Sequence, residues 1–190
     1  MSSKHNALKL STQAVALIGV STAMVLVATL LGFSSGPFYF NLGDSVILIV
    51  SAMLGPVSAM IAGGLGAFFA DMIVFPATML YTLVIKAIEG LISGIIVKLI
   101  LKCFSKRQQP LTKRLEIAQG FCVFFTFILS SFIMALGYFI CQSFIYGTMQ
   151  SALIALPMDI AQASISSVVA ILVLFPLKLL RLRNNVKLHL

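Results

Sequence analysis

Charge is scarce in this sequence. Only 9% of its 190 residues are Asp, Glu, Lys or Arg, against about 25% in a soluble globular domain. Tryptophan is absent, and the two histidines, His5 and His189, stand in the end segments. That placement argues against a histidine-based metal centre and against a Ser/His/Asp or Cys/His catalytic set. Cysteine is limited to Cys103, Cys122 and Cys141. Their spacing suits no metal, so they read as small apolar residues rather than a disulfide framework. No Walker A pattern occurs, so the chain is not expected to hydrolyse ATP by itself. The glycines of Gly63-Gly64-x-Gly66 lie inside an apolar run and do not form a phosphate loop. Neither a Tyr-Asp nor a Gly-x-Gly-Asp signature of membrane aspartyl proteolysis is present. The expectation is a protein without catalysis, metal or cofactor.

What the chain has instead is apolar surface. Hydrophobic residues make up 60% of it, and the mean hydropathy is +1.10. So little polar surface cannot cover a folded chain in water, so lipid must be the solvent. The apolar run from Ala14 to Phe33 is long enough to span a bilayer. No small-residue cleavage pattern follows it, so it reads as a first membrane helix and not as a signal peptide. We expect an all-α membrane protein, a single domain over 1–190 built as a bundle of six transmembrane helices. The expected spans are about 11–34, 42–54, 56–73, 77–102, 115–143 and 150–178. The second, with roughly 13 residues or about 20 Å of helix, is shorter than a ~30 Å hydrocarbon core. It must tilt, sit to one side or be enclosed by its neighbours.

The cations set the orientation. The net charge is +8. Lys4 and Lys9 precede the first span, and Lys102, Lys106, Arg107, Lys113 and Arg114 surround the fourth connection. Lys178, Arg181, Arg183 and Lys187 follow the last span. The segments 34–41, 74–77 and 144–149 carry none. With six spans, all basic segments fall on one side, which the positive-inside rule makes cytoplasmic. Both termini are therefore expected inside, and the positive charge reads as topology rather than nucleic-acid binding. No internal repeat is evident, so an inverted-repeat transporter finds no support.

Five ionisable residues interrupt the spans: Asp44, Asp71, Lys86, Glu89 and Asp159. A charge at the bilayer centre costs roughly 2.5 kcal/mol or more on insertion scales. Such groups must pair, line a wet cavity or bind something. Lys86 and Asp159 each lie about 13 Å below the outer surface by helical rise. Glu89, at i+3 from Lys86, suits an ion pair. Thr126, Ser130, Met134 and Tyr138 share one face of the fifth span, with Gln142 a turn on, and Asp159, Gln162 and Ser166 share one face of the sixth. These faces suit either interhelical hydrogen bonds or a pocket open to the outside.

Small residues form a second pattern. Ala59, Gly63 and Ala67, with Ala62, Gly66 and Ala70, make two rows on the third span, and Gly90 and Gly94 recur on the fourth. Small residues let helices approach closely in lipid, and internal packing is the expected use. On the first span Thr12, Ala16, Gly19 and Ala23 form one seam at intervals of 4, 3 and 4. That seam suits either internal packing or docking of another membrane subunit.

Several ordered elements together resemble a known family. They are Asn41-Leu42-Gly43-Asp44, Gly55-Pro56, Ala62-Gly63-Gly64-Leu65-Gly66, Ala70-Asp71 and Ile85-Lys86-Ala87-Ile88-Glu89-Gly90. The run over about 41–102 resembles the substrate-binding S components of energy-coupling-factor (ECF) vitamin importers, in the branch grouped with riboflavin S components. Tyr146-Gly147, Pro157 and Gln162 fit more loosely. The resemblance implies a six-helix bacterial plasma-membrane protein that captures a small vitamin or precursor from outside. It also implies work with a transmembrane coupling (T) subunit and two cytoplasmic ATPases. The family docks its first helix through a small-residue motif, usually Ala-x-x-x-Ala. Here Gly19-x-x-x-Ala23 and Thr12-x-x-x-Ala16 stand closest to it, a departure from that motif.

The polar residues that suit a hydrogen-bonding heterocycle are Asn41, Asp44, Tyr81, Lys86, Tyr138, Asp159 and Gln162. They favour pyridoxine or a hydroxymethyl-pyrimidine, with riboflavin next. Two readings from other classes compete: an autonomous ion- or proton-coupled carrier, with the buried aspartates as coupling sites, and a structural or assembly factor.

Overall fold

A computed structural model describes residues 12–35, 38–107, 112–145 and 149–176. Among the described residues six helices form: α1 (Thr12–Leu30), α2 (Gly43–Met53), α3 (Pro56–Val74), α4 (Met79–Arg107), α5 (Lys113–Ile145) and α6 (Met149–Leu174). Four of them, α1, α3, α5 and α6, are long and apolar enough to cross a membrane. The expected spans match these helices to within a few residues. The cations at Lys4, Lys9, Lys178 and beyond, and the Tyr146-Gly147 turn, lie outside the described residues.

One element departs from the expectation of helices alone. Between α1 and α2, strand β1 (Phe33–Ser35) pairs antiparallel with β2 (Phe38–Phe40), Phe33 opposite Phe40. Their rings stand 5.8 Å apart. Aromatic residues favour the pleated backbone, whereas helical periodicity gives no signal in so short a stretch. α1 accordingly ends at Leu30, earlier than the apolar run itself.

The short α2 is enclosed. Eight of its 11 residues are buried, and it packs against α1, α3, α4 and α6. Enclosure, not tilt alone, is how a helix too short for the bilayer avoids exposing its ends to lipid. Its start is held by the Asn41 Oδ1, which accepts from the Gly43 N–H at 2.9 Å. Its end is made by Gly55, whose φ of 92° is open to glycine at little steric cost. Pro56 then begins α3 with its ring pre-set for the first turn.

The small-residue rows of α3 are used internally. A Cβ added to Gly90 of α4 would stand 2.5 Å from the Ala59 carbonyl oxygen of α3, and one on Gly66 would stand 2.8 Å from the Thr22 carbonyl oxygen of α1. The backbones touch where a side chain would part them, as expected for helix association in lipid. In the opposite half of the bundle, Leu48, Val97, Val123, Phe127, Ala170 and Leu174 form a buried apolar cluster among α2, α4, α5 and α6. That cluster closes the bundle beneath the polar groups described next.

Candidate functional site

Above the apolar cluster the interior turns polar. Lys86 (α4) and Asp44 (α2) form a buried, hydrogen-bonded ion pair. Glu89 Oε2 lies 3.5 Å from the same ammonium, and Glu89 Oε1 accepts from Ser131 of α5 at 3.1 Å. All three ionisable side chains are nearly inaccessible, with relative exposures of 4%, 0% and 0% for Lys86, Asp44 and Glu89. The spacing on α4 suggests Lys86–Glu89 as the primary pair. In the structure Asp44 supplies the closer partner, because α2 lies beside α4. Pairing across helices was invisible in local spacing.

Gln162 of α6 completes this layer. Its Nε2 donates to Asp44 Oδ2 at 2.7 Å, and its Oε1 accepts from the Asn41 backbone N–H at 3.0 Å. The side-chain amide thus joins the end of the β-hairpin to the ion pair. The chain Asn41–Gln162–Asp44–Lys86–Glu89–Ser131 crosses from the hairpin to the bundle centre with partners at each step. Buried charges persist only when paired and hydrogen-bonded in this way.

A cavity of about 140 Å³ opens over this layer. Tyr81, Lys86, Tyr138, Asp159 and Gln162 line it, as does Asn41. Of the residues proposed from sequence, Asp44 alone lies outside the lining, behind Lys86 and Gln162. The rings of Tyr81 and Tyr138 meet edge to face at 6.1 Å and 79°. The Lys86 ammonium sits 5.3 Å from the centre of the Tyr138 ring, a cation–π arrangement.

Sequence reading missed part of this wall. Asp71 of α3 also lines the cavity, and its Oδ2 accepts from Thr78 and Thr82, each at 2.6 Å. The Tyr138 hydroxyl in turn donates to Thr82 Oγ1 at 3.3 Å. In the sequence Asp71 reads as a costly charge near a span end and as part of the Ala70-Asp71 element. Its partners lie across the α3–α4 turn, and their spacing from Asp71, 7 and 11 residues, follows no helical rule. Phe75, Gln142 and Met158 also line the cavity.

Asp159 stands apart. Its Oδ2 is shielded from solvent and accepts no hydrogen bond. The seam on α1 is likewise open: Thr12, Ala16, Gly19 and Ala23 are all exposed. A Cβ added at Gly19 would meet nothing within 4 Å. α1 packs through its other face, with Ala14, Ile18, Ser21, Val25 and Thr29 buried.

The structure thus holds a chamber with charged and aromatic walls inside an apolar helix bundle. Comparison with known sequences supplies the family. The profile of the ECF-type riboflavin transporter, S component, matches residues 9–179. The chain belongs to this family of S components. Proteins of this family are membrane-embedded transporter subunits rather than enzymes. A curated relative, an "Uncharacterized protein in gap 3'region" of Pyrococcus woesei, is 46% identical over 56 residues. The match spans 30% of this chain and 38% of that protein, so this chain covers well under half of the relative's length.

Proposed function

We propose that this S component captures a small water-soluble vitamin or precursor from outside the cell and delivers it through an ECF importer. Its partners are a transmembrane T subunit and two cytoplasmic ATPases in the bacterial plasma membrane. The observation that carries the reading is the cavity: single-ring dimensions, tyrosine walls and a fixed polar floor of Lys86 and Gln162. A site that sets several hydrogen-bonding side chains among tyrosine, Phe75 and Met158 surfaces suits a heterocycle such as pyridoxine or a hydroxymethyl-pyrimidine. Riboflavin is the next choice.

Two measurements test this. The chain purified with its T subunit and ATPases should retain a vitamin-like molecule identifiable by mass spectrometry. Uptake in proteoliposomes should require ATP and both ATPases. Uptake by the chain alone, driven by a proton gradient, would replace the importer with an autonomous carrier.

The proposal includes one 1–190 domain with six spans and both termini inside. α4 counts as a span by length, its 29 residues reaching about 43 Å. It carries Lys86 and Glu89, but both are turned into the bundle. A cysteine placed at position 36 or 147 should react with an impermeant thiol reagent in whole cells, and one at 5, 108 or 187 should not. The reverse pattern inverts the protein and the direction of its pocket.

A further inference from the structure

The inference concerns the charge of the captured molecule, and it rests on the reading of the cavity as the solute site. Much of the hydrogen-bonding capacity of the wall is already engaged. Lys86 faces Asp44 and Glu89. Gln162 uses its amide on Asn41 and Asp44. Asp71 Oδ2 accepts two threonine hydroxyls. Asp159 lines the cavity, and its Oδ2 is shielded from solvent and accepts nothing. A carboxylate can only accept when ionised, so what it lacks is a donor, and a cationic donor satisfies it best.

The charge count points the same way. Among the described lining residues Lys86 is the one cation, against Asp71 and Asp159, with Asp44 and Glu89 directly behind it. An anionic solute would enter a site whose single ammonium already serves two carboxylates. A cation would relieve the imbalance, and the wall includes Tyr81 and Tyr138, whose ring faces attract cations. Size adds a limit. The cavity of about 140 Å³ falls below the roughly 300–1,000 Å³ of pockets for drug-sized ligands. One ring fits this space better than three fused rings with a polyol chain.

We infer that the solute is a single-ring heterocycle bearing a protonatable amine, and that Asp159 is the residue that selects the amine. The class departs from the flavin in the family's description.

Calorimetry on the purified full chain in detergent tests it, with five probes: pyridoxamine, 4-amino-5-hydroxymethyl-2-methylpyrimidine, pyridoxine, nicotinate and riboflavin. Pyridoxamine and pyridoxine differ at one substituent, aminomethyl against hydroxymethyl. At least one amine probe should bind tenfold or more tighter than pyridoxine, and nicotinate should not bind. Asp159→Asn should bring that ratio below about 3, and Asp159→Glu should restore part of it. The ligand-free melting temperature of Asp159→Asn should stay close to that of the parent, since no hydrogen bond to Oδ2 is lost.

Three results overturn the inference: pyridoxine or riboflavin equalling both amine probes, Asp159→Asn weakening every probe alike, or no probe binding. Co-purification with the T subunit and ATPases, scored on the same preparations, separates these failures from failure of the importer reading. An intact complex with the wrong probe preference rejects only the amine. A chain that never assembles rejects the importer.

Discussion

Replacing Lys86 by methionine is expected to lower the melting temperature of the purified, ligand-free chain by roughly 10 °C. Methionine keeps the length of the side chain and removes only the ammonium. Asp44 and Glu89 then remain 0% exposed, facing each other's field with no cation between them. Breaking a buried pair from one side costs about 3–5 kcal/mol, because a charge is left uncompensated. For a chain of this size each kcal/mol moves the midpoint by about 2–4 °C. Gln162 and Ser131 still donate to the two carboxylates, which places the estimate at the lower end. The double variant Lys86→Met with Asp44→Asn should recover part of the loss, and the cycle gives the coupling directly. A single variant that melts within a degree or two of the parent would show that the pair does not hold the fold.

This result would separate two roles that look alike in the sequence. Lys86 and Asp159 both appear as charges at similar depth in apolar helices. The structure divides them by their partners. Lys86 is bound into a network that joins α2, α4, α5 and α6, so its loss should unfold. Asp159 has an oxygen with no partner, so its loss should be felt when solute arrives.

How much was legible beforehand follows from the range of each signal. The helices were readable because hydropathy over twenty residues and the Pro and Gly at their ends are local. The enclosed α2 was readable as a conflict, a span too short for its membrane, although the resolution by burial required its neighbours. The small-residue rows of α3 were visible as rows, but Ala59 facing Gly90 and Gly66 facing Thr22 were not, since those contacts cross between helices. The polar residues at 81, 86, 138, 159 and 162 do meet around one cavity. The choice of Asp44 as Lys86's closer partner, 42 residues away, had no local trace. Nor did the assignment of two threonines to Asp71. The hairpin between α1 and α2 escaped because three-residue strands leave no period to detect.

The small-residue seam of α1 sets up the second large effect. Gly19→Leu and Ala23→Leu are each expected to weaken retention of the T subunit at least about a hundredfold, on the order of 2.8 kcal/mol, while the chain alone folds as before. The seam lies on the side of the helix that this bundle leaves open. Thr12, Ala16, Gly19 and Ala23 are exposed, and the space over Gly19 is empty to 4 Å. A side chain added at Gly19 starts in open space, and Ala23 is exposed, so the chain alone should keep its stability. Lipid tails alone give no reason for a helix to thin one face, since they are as apolar as leucine. A close-packed partner helix does, because its backbone can approach only over small side chains. Leucine at the centre of that seam holds the two helices apart along its whole length, which is why one substitution should have so large an effect. Alanine at position 19 adds a single carbon and should be tolerated far better. The readout is the ratio of T subunit to this chain after affinity purification, with the ligand-free melting temperature measured beside it. If both leucine variants keep that ratio, the seam faces only lipid, and docking must use another surface. If they lose it only together with their melting temperature, α1 packs more tightly within the chain than its exposed face implies.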